Sequence, residues 1–400
     1  MDRKAISGIM LTLLLIVVST SAFNIKPAEA SETVYIRANG SVDPSTAPLS
    51  SLDNLTYYIT GNINDPIVVE RDGIVVDGNG YTLQGTGEEF YYAGILLSGT
   101  KNVTIKNTEI KTFYCGIWLV GSSGNWIFEN TIINNDNGIL LHDSSNNNIS
   151  RNNLTVNNDN GILLEDSSSN WFSKNIIINN DNGILFLGSP SNRISESTIT
   201  DNEVGIFLWH SSSNDIQGNN IANNSYSVRV EFSSNNKFYH NNFMENTQQV
   251  STSPGYASLW DEGYPFGGNY WSNYNGTDLY SGVYQNETCY DWIGDTPYII
   301  NENNRDNYPL RDTYVPERQE TRVAYRNLLS NFNSLNSIYN NLLTSYNNLQ
   351  AAYDELQLGQ EAISNEFGTL RNLIYMFTTT TIILIAITVY LVIGKPKRKP

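Results

Sequence analysis

Apolar and polar residues alternate along much of this chain in a pattern that repeats about every 22 residues. The phrase "NNDNGILLHDSSNN" begins at Asn134, and close copies begin at Asn157 and Asn179. Self-similarity at this period is typical of solenoids, in which each repeat packs only against its neighbours. The copies are led by Gly94, Gly116, Gly138, Gly161, Gly183 and Gly205, with Ser227 beginning a seventh.

Within each copy, counting the leading glycine as position one, the second and fourth positions are apolar, as in Ile139 and Leu141. Single apolar residues follow at positions twelve and seventeen, as in Ile149 and Leu154. Alternate apolar positions are typical of strands with one buried face. The pattern therefore predicts an all-β fold, a parallel β-helix of three short strands in each coil. Leucine-rich repeats have a similar period, but they need helical segments and a denser leucine pattern.

Asparagine recurs at positions ten, fifteen and twenty, where the corners between strands are expected. It tolerates left-handed backbone angles, and like amides on coils stacked about 4.8 Å apart can form ladders. We therefore predict a structural role for these residues. They are Asn125, Asn147, Asn170, Asn192, Asn214 and Asn236; Asn130, Asn152, Asn175, Asn219 and Asn241, with Ser197 as the exception; and Asn135, Asn180, Asn202, Asn224 and Asn246, with Asn157 or Asn158 in the longer coil.

Changes of pattern divide the rest of the chain. Residues 31–93 are interpreted as an N-terminal cap with the first coils, and residues 94–248 as the regular β-helix. Residues 249–316 lose the period and become rich in tryptophan, tyrosine and glycine. Because a solenoid must cover its last apolar coil, we expect this segment to be a capping module.

Residues 318–371 carry a heptad pattern, with aromatic residues such as Tyr339 in one column and leucines such as Leu342 in the other. This spacing predicts an α-helical coiled-coil stalk, and hence a homo-oligomer. The alternative is a single amphipathic helix lying on its own β-helix.

Both ends of the chain indicate export and anchoring. Residues 1–30 resemble a signal peptide, with a cleavage site at Ala28-Glu29-Ala30; cleavage after Ala22, or an uncleaved anchor, are the alternatives. Residues 373–393 lack charge and predict one transmembrane helix. The basic residues 394–400 then predict a cytoplasmic tail, with the body of the protein outside the cell.

The net charge and the positions of the cysteines argue against a nucleic-acid partner and against a disulfide. The formal net charge of -17 argues against nucleic acid as a partner, since nucleic-acid binders need clustered lysine and arginine. Cys115 and Cys289 lie many predicted coils apart, so a disulfide between them is not expected.

The asparagine repeats, the opening "VYIRANGSVDPSTAP" and the closing "WDEGYPFGGNYWSNYNGTD…IGDTPYIINENNRDNYPL" resemble archaeal surface proteins with a NosD-like domain, over about residues 33–310. The resemblance implies a right-handed, single-stranded β-helix of the pectin-lyase-like type and a carbohydrate-binding or sugar-hydrolysing function. Trp292 departs from the family's closing pattern, which has a glycine there.

The NosD name also implies help in maturing a copper site. Copper carriers use histidine, cysteine and methionine. The only histidines, His142, His210 and His240, are predicted to lie on separate coils, and methionine is scarce. The residues therefore do not support a copper role.

The candidate binding site is the outward side of the first strand in each copy. If positions two and four point inward, positions three and five point outward. Aromatic faces among polar groups are typical of sugar sites, so extracellular polysaccharide or an envelope glycan is the expected ligand. Leu140, Leu163 and Leu185 favour the alternative, a strip covered by a loop or another subunit. The candidate residues are Trp118, His142, Asp143, Glu165, Asp166, Phe207, Trp209 and His210.

Two other functions stay open. A polysaccharide hydrolase or lyase would use Glu165 with Asp143 or Asp166, because glycoside hydrolysis needs two carboxyl groups. The chain lacks an aspartate pair with "GHG" and arginines at adjacent equivalent positions, so binding is favoured over catalysis. A structural envelope spacer is the third hypothesis.

No cofactor is expected except possible calcium. Asp136, Asp159 and Asp181 are predicted to stack at equivalent corners, where a cation could bridge them, although solvated turns are the favoured interpretation. Asn-x-Ser/Thr triplets make eight asparagines candidates for glycosylation. They are Asn39, Asn54, Asn102, Asn148, Asn153, Asn223, Asn275 and Asn286.

Overall fold

The computed structural model describes residues 33–87, 93–359 and 367–393. The chain forms two compact units, one ending at Arg326 and one beginning at Asn327. The predicted signal peptide and basic tail lie outside the described residues.

The first unit is built around three long sheets, here called A, B and C, to which successive coils contribute strands in turn. Sheet A contains Val42–Asp43, Val34–Ile36, Ile67–Val69, Ala93–Ser98, Cys115–Val120, Asn137–His142, Asn160–Glu165, Asn182–Leu187, Val204–Trp209, Tyr226–Glu231 and Gln248–Thr252. Sheet B contains Leu49–Ser50, Thr56–Ile59, Val75–Asp77, Thr104–Lys106, Trp126–Phe128, Asn148–Ser150, Trp171–Ser173, Arg193–Ser195, Asp215–Gln217 and Lys237–Tyr239. Sheet C contains Thr82–Gln84, Glu109–Lys111, Thr131–Ile133, Asn153–Thr155, Ile176–Ile178, Thr198–Thr200, Asn220–Ala222, Asn242–Met244 and Tyr270–Trp271.

Equivalent residues of successive coils lie directly over one another. Ile139 pairs with Ile117 of the coil before it and with Ile162 of the coil after it, and Ile162 pairs with Ile184. All four side chains are fully buried in one continuous core. Parallel stacking in register keeps every apolar face directed at the same interior. The predicted right-handed parallel β-helix is confirmed.

The asparagines at the corners form the predicted ladders. Oδ1 of Asn152 accepts hydrogen bonds from the backbone N–H and from Nδ2 of Asn130, at 3.1 and 3.0 Å. Nδ2 of Asn152 in turn donates to the carbonyl of Ile127, at 2.9 Å. Each amide thereby satisfies backbone groups that the turn leaves unpaired inside the protein.

A fourth column, of buried serines, was not predicted. The backbone N–H of Ser122 donates to Oγ of Ser144 at 3.0 Å, and that hydroxyl donates to the carbonyl of His142 at 2.8 Å. A serine hydroxyl can accept and donate at once, so it joins two coils much as an asparagine does. The column contains Ser122, Ser144, Ser167, Ser189, Ser211 and Ser233.

The segment rich in aromatic residues covers the last coils. Trp260 stacks on Phe238 and Trp271 stacks on Phe243, each with ring centroids 4.3 Å apart. Both tryptophans are buried, so the open end of the core is closed by stacked rings. Two short hairpins complete this capping module, Tyr280–Ser281 with Glu287–Thr288 and Tyr298–Asn301 with Asn304–Asp306.

Two helices follow, α1 from Pro316 to Gly359 and α2 from Phe367 to Ile393. Within α2, residues Asn372–Leu391 are long and apolar enough to cross a membrane, and none of that span is buried. The heptad segment is helical over the described part of residues 318–371. Its assembly into a homo-oligomeric coiled coil stays a prediction.

Candidate functional site

The outer face of sheet A carries the predicted strip as two rows in register. The first row is Trp118, Leu140, Leu163, Leu185, Phe207 and Arg229, and the second is Val120, His142, Glu165, Leu187, Trp209 and Glu231. The two halves of this surface differ in exposure, and hence in what they can bind.

The half nearer the N-terminus is packed. Leu140 is 4% exposed and Leu163 is 9% exposed, and both belong to a small apolar cluster with Ala93 and Cys115. Trp118 packs against that cluster, and burial raises the pKa of the Cys115 thiol. This half agrees with the alternative of a covered face and offers no open stacking surface.

The proposed acidic residues meet around a histidine. Nδ1 of His142 lies 3.1 Å from Oε2 of Glu165, and Nε2 lies 3.5 Å from Oδ2 of Asp143. Asp143 and Asp166 are corner residues with left-handed φ angles of 49° and 46°, and both are exposed. The structure thus brings Glu165 and Asp143 to one imidazole.

The half nearer the capping module is an exposed row of aromatic rings. The Trp209 ring lies edge-on to His210, with centroids 4.6 Å apart. His210 stacks on Phe232 at 5.0 Å, and Phe232 meets Tyr256 edge-on at 6.0 Å. Trp209 is 40% exposed and Phe232 is 45% exposed. We call Trp209, His210, Phe232 and Tyr256 the ring row.

An arginine and a glutamate border the ring row. The Arg229 guanidinium lies 4.5 Å from the centroid of Phe207, and its Nη2 lies 2.5 Å from Oε1 of Glu231. Glu231 is the strand neighbour of Trp209. Charged hydrogen-bonding groups and open aromatic faces therefore share one surface.

Sequence reasoning identified half of this row. Trp209 and His210 were predicted, whereas Phe232 and Tyr256 were not. Phe232 occupies the corner one coil after His210 and has the same left-handed backbone, with φ of 52° against 50°. Comparing corner positions between coils could have found Phe232. Tyr256 lies beyond the repeats, where the period gives no guidance.

The predicted calcium residues stack as expected at successive corners. The N–H of Asp159 donates to the carbonyl of Asp136 at 2.9 Å, and burial and the charges of Asp136 and Asp181 raise the pKa of Asp159. Among the described residues, no group of three or more His, Cys, Asp or Glu side chains is placed to hold a metal.

The glycosylation candidates are all reachable to some extent. Asn39, Asn54, Asn102, Asn223, Asn275 and Asn286 are exposed, and Asn148 and Asn153 are half-buried. Their occupancy stays a prediction.

The potential copper ligands do not converge. His240 is buried, its Nε2 lies 3.1 Å from the carbonyl of Phe266, and its ring stacks on Tyr314. His142 is engaged with Glu165 and His210 with Phe232, while the Cys115 thiol is buried. Because copper sites in proteins use several soft or imidazole donors together, this arrangement does not fit a copper centre.

The comparisons with known proteins agree with the repeat pattern. The family model described as periplasmic copper-binding protein (NosD) matches residues 47–194 and 151–276, together more than half of the chain. No curated protein sequence matches the chain.

Several solved structures are similar to this one. The Dettilon tailspike protein is 16% identical with a TM-score of 0.40, over 52% of this chain and 53% of its own. The periplasmic alginate epimerase AlgG is 16% identical with a TM-score of 0.33, over 54% of this chain and 69% of its own. Pectate lyase Pel9A is 14% identical with a TM-score of 0.35, over 57% of this chain and 72% of its own. The chain thus spans about half the length of the tailspike protein it matches.

Proposed function

The chain belongs to the NosD family, and from that premise we propose that it is a membrane-anchored surface protein that binds polysaccharide through the ring row. The observation that carries this proposal is the exposure of Trp209 and Phe232 on one face of a rigid solenoid. Exposed aromatic residues held on a rigid scaffold lose little entropy on binding, which favours recognition of a ligand.

Sugar rings suit this surface. The C–H face of a pyranose packs on an aromatic ring, while its hydroxyl groups need donors and acceptors beside that ring. Arg229 and Glu231 supply both kinds of group within the same two coils. A formal net charge of -17 makes nucleic acid an unsuitable ligand for the same rings.

We propose that the β-helix lies outside the cell, attached to the membrane by one helix. Residues Asn372–Leu391 provide one span, and their threonine hydroxyls, such as that of Thr379, donate to carbonyls of the same helix. We place the short tail in the cytoplasm because it is basic. Deleting residues 367–400 is expected to move the protein from the carbonate-washed membrane pellet to the soluble fraction.

Self-association through α1 belongs to the same proposal. Phe332, Tyr339, Leu342 and Leu349 of the heptad columns are exposed in the single chain. A second copy with the same columns would cover them. The full chain in detergent is therefore expected to be an oligomer by light scattering, and Leu342→Asn is expected to shift it toward the monomer.

The test of binding uses the full chain in mild detergent and a panel of soluble and insoluble polysaccharides. Trp209→Ala and Phe232→Ala are each expected to weaken binding about fivefold, because one aromatic contact contributes about 1 kcal/mol. Tyr284→Ala is the matched control, since Tyr284 is an exposed aromatic residue of the capping module and has no part in the ring contacts of the ring row. Equal binding by all four proteins would refute the ring row as the site.

A hydrolase is the second candidate, favoured by the contacts of His142 with Glu165 and Asp143. It predicts release of reducing ends from a polysaccharide that the protein binds, and loss of that release in Glu165→Gln. Binding that persists without release of products would leave recognition as the function. Absence of any binding would favour the structural spacer.

A further inference from the structure

The outer face of sheet B carries two tryptophans that sequence analysis did not single out. Trp126 pairs with Asn148, and Asn148 pairs with Trp171, so the two indoles occupy the same register position with one coil between them. Trp126 is 53% exposed and Trp171 is 48% exposed. Neither belongs to the buried core, so packing inside this chain does not explain them.

The indole of Trp171 is held in place from one side. Its Nε1–H donates to Oγ of Ser195, on the next coil, at 3.2 Å. The guanidinium of Arg193, its register partner, lies 5.9 Å from the centre of the ring. These contacts fix the ring over the neighbouring strand and leave about half of its surface to solvent.

The residue between the tryptophans is polar and incompletely satisfied. Oδ1 of Asn148 is buried and has no hydrogen-bond partner among the described residues. Ser150 and Ser173 occupy the outward third positions of the same strands. Because this oxygen is buried, the polar groups available between the two aromatic rings are the rest of the half-buried Asn148 side chain and these serine hydroxyls.

The distance between the two tryptophans indicates the kind of ligand that fits. Coils lie about 4.8 Å apart, so the two indoles are separated by about 9.6 Å along the axis of the β-helix. This is about the length of one disaccharide unit in an extended, β-linked hexose chain. Such a chain lying along the axis would place alternate sugars on Trp126 and Trp171, with the intervening sugar over Asn148.

The local charge is compatible with an uncharged polymer. At the neighbouring corner, Arg151 pairs with Glu129 and Lys174 pairs with Glu196, each at 3.3 Å. Arg193 is the strand neighbour of Asp215. These described neighbours of the tryptophans carry charges of both signs in equal number, whereas a strongly anionic ligand would require an excess of positive charge.

We propose that Trp126, Asn148 and Trp171 form a second carbohydrate-binding surface, the sheet B platform, which takes an extended β-linked hexose polymer along the axis of the solenoid. The platform lies on a different sheet from the ring row, so it stands or fails separately from the proposed function. It gives the protein a second contact with polysaccharide.

The experiment compares four full-length proteins in mild detergent, with cellohexaose and chitohexaose in solution as probes. They are the unaltered chain, Trp126→Ala/Trp171→Ala, Trp209→Ala/Phe232→Ala, and the variant with all four changes. We expect the first pair of changes to weaken binding of at least one probe tenfold or more, in both the unaltered and the ring-row background. Binding unchanged by these two substitutions would overturn the platform.

Further variants separate contact from folding. Trp126→Phe/Trp171→Phe keeps both aromatic faces and is expected to retain binding within about threefold. Ile176→Ala removes an equally exposed apolar side chain from the same coil as Trp171, on sheet C, and is expected to change nothing. Equal losses in Ile176→Ala would contradict a specific contact.

A glycan attached to Asn148 would occupy the same place. Mass spectrometry of the peptide containing Asn148 shows whether this glycan is present, because a fully occupied site on the native protein would block the platform and overturn the proposal.

The binding experiment also separates the two proposed sites. If Trp209→Ala/Phe232→Ala binds normally while Trp126→Ala/Trp171→Ala does not, the platform stands and the proposed site on sheet A fails.

Discussion

Oδ1 of Asn147 accepts two hydrogen bonds from Asn125 of the preceding coil, one from its backbone N–H and one from its side-chain Nδ2, both at 3.0 Å. Nδ2 of Asn147 donates to Oδ1 of Asn170 at 3.1 Å and to the carbonyl of Ser122 at 3.0 Å. One side chain thus joins three coils, and the three partner residues Asn125, Asn170 and Ser122 are all buried.

Asn147→Ala should therefore be among the most damaging changes in the solenoid. It removes the partner of the backbone N–H of Asn125 and of the carbonyl of Ser122, and each unsatisfied buried group costs about 1–3 kcal/mol. The amides of Asn125 and Asn170 each lose one hydrogen bond but keep another, to the carbonyl of Thr100 and from the backbone N–H of residue 147. We expect a loss of about 2–4 kcal/mol in the free energy of unfolding, measured by urea denaturation of the full chain in detergent.

Asn153→Ala provides the comparison. Asn153 faces outward on sheet C, where its Oδ1 accepts only the hydroxyl of Thr155. We expect a change within about 0.5 kcal/mol. Similar losses in both variants would show that the ladder has no special role in stability.

In the copies that begin with glycine, the short distance between coils leaves little room for a Cβ at that position. A Cβ added to Gly161 would lie 2.7 Å from the carbonyl oxygen of Gly183 and 2.7 Å from Cγ2 of Ile177. The backbone oxygen cannot move without separating two coils. Gly161→Ala is expected to lower the unfolding midpoint by several degrees, by differential scanning calorimetry.

Gly61→Ala tests whether the loss arises from the stacking of coils. A Cβ at Gly61 would meet only Cβ of Pro48, at 3.5 Å, which is ordinary van der Waals contact. Its midpoint should stay near that of the unaltered chain. A normal midpoint for Gly161→Ala would mean that coils can separate at little cost.

The sequence predicted the inside of the solenoid well because one period fixes both register and burial. Once Ile139 and Ile162 are aligned, parallel pairing decides where their neighbours point. The burial of outward-facing side chains depends on contacts between particular residues, which the repeat period does not describe. Leu140 and Leu163 are buried by outer neighbours such as Ala93 and Cys115, which alternation alone assigns to solvent.

The candidate site was predicted only in part for the same reason. Phe232 stands at a corner where the coil before it has His210 and the earlier coils have Gly or Asp. Trp126 and Trp171 stand at a position that the other coils fill with Val, Thr, Asn, Arg, Asp or Lys. In this repeat protein, the candidate functional residues are those that differ from the residues at the equivalent position of other coils. Searching for residues shared by every coil overlooks such departures.

His240 should make the stability of the capping module depend on pH. Burial, aided by the charge of Arg326 and opposed by the hydrogen bond to Phe266, lowers the pKa of His240 to about 4. Oε2 of Glu262 lies 3.7 Å from Nδ1, but burial outweighs this partner. The neutral ring can donate through Nε2 to the carbonyl of Phe266, at 3.1 Å, and it stacks on Tyr314.

Between the folded pKa of about 4 and the unfolded value of 6.5, the unfolded chain binds more protons at this residue. Its contribution to stability is therefore complete above pH 6.5 and is lost as the pH falls toward 4. The loss amounts to about 2–3 kcal/mol. His240→Gln is expected to be somewhat less stable at pH 7.5 but to lose less stability on acidification, by urea denaturation at a series of pH values. Parallel curves for the two proteins would exclude His240 as the titrating group.

The last prediction concerns Arg326, which anchors the start of α1 in the capping module. Its side chain is fully buried; Nε donates to the carbonyl of Asp291 and Nη1 to the carbonyl of Pro265, both at 2.7 Å. Burial raises the pKa of the Asp291 carboxyl, and the charge of Arg326 opposes that rise. Arg326→Met keeps much of the side-chain volume but leaves both carbonyls and Asp291 without their cation, which should destabilise the module by about 3–5 kcal/mol.

Limited proteolysis measures this loss of stability, because the residues around Asp291 should be cleaved at lower protease concentrations while the coils near Ile139 stay protected. Arg318→Met changes an exposed arginine of the same helix and should leave the cleavage pattern unaltered. Protection of the module in Arg326→Met equal to that in Arg318→Met would show that α1 is held there by other contacts.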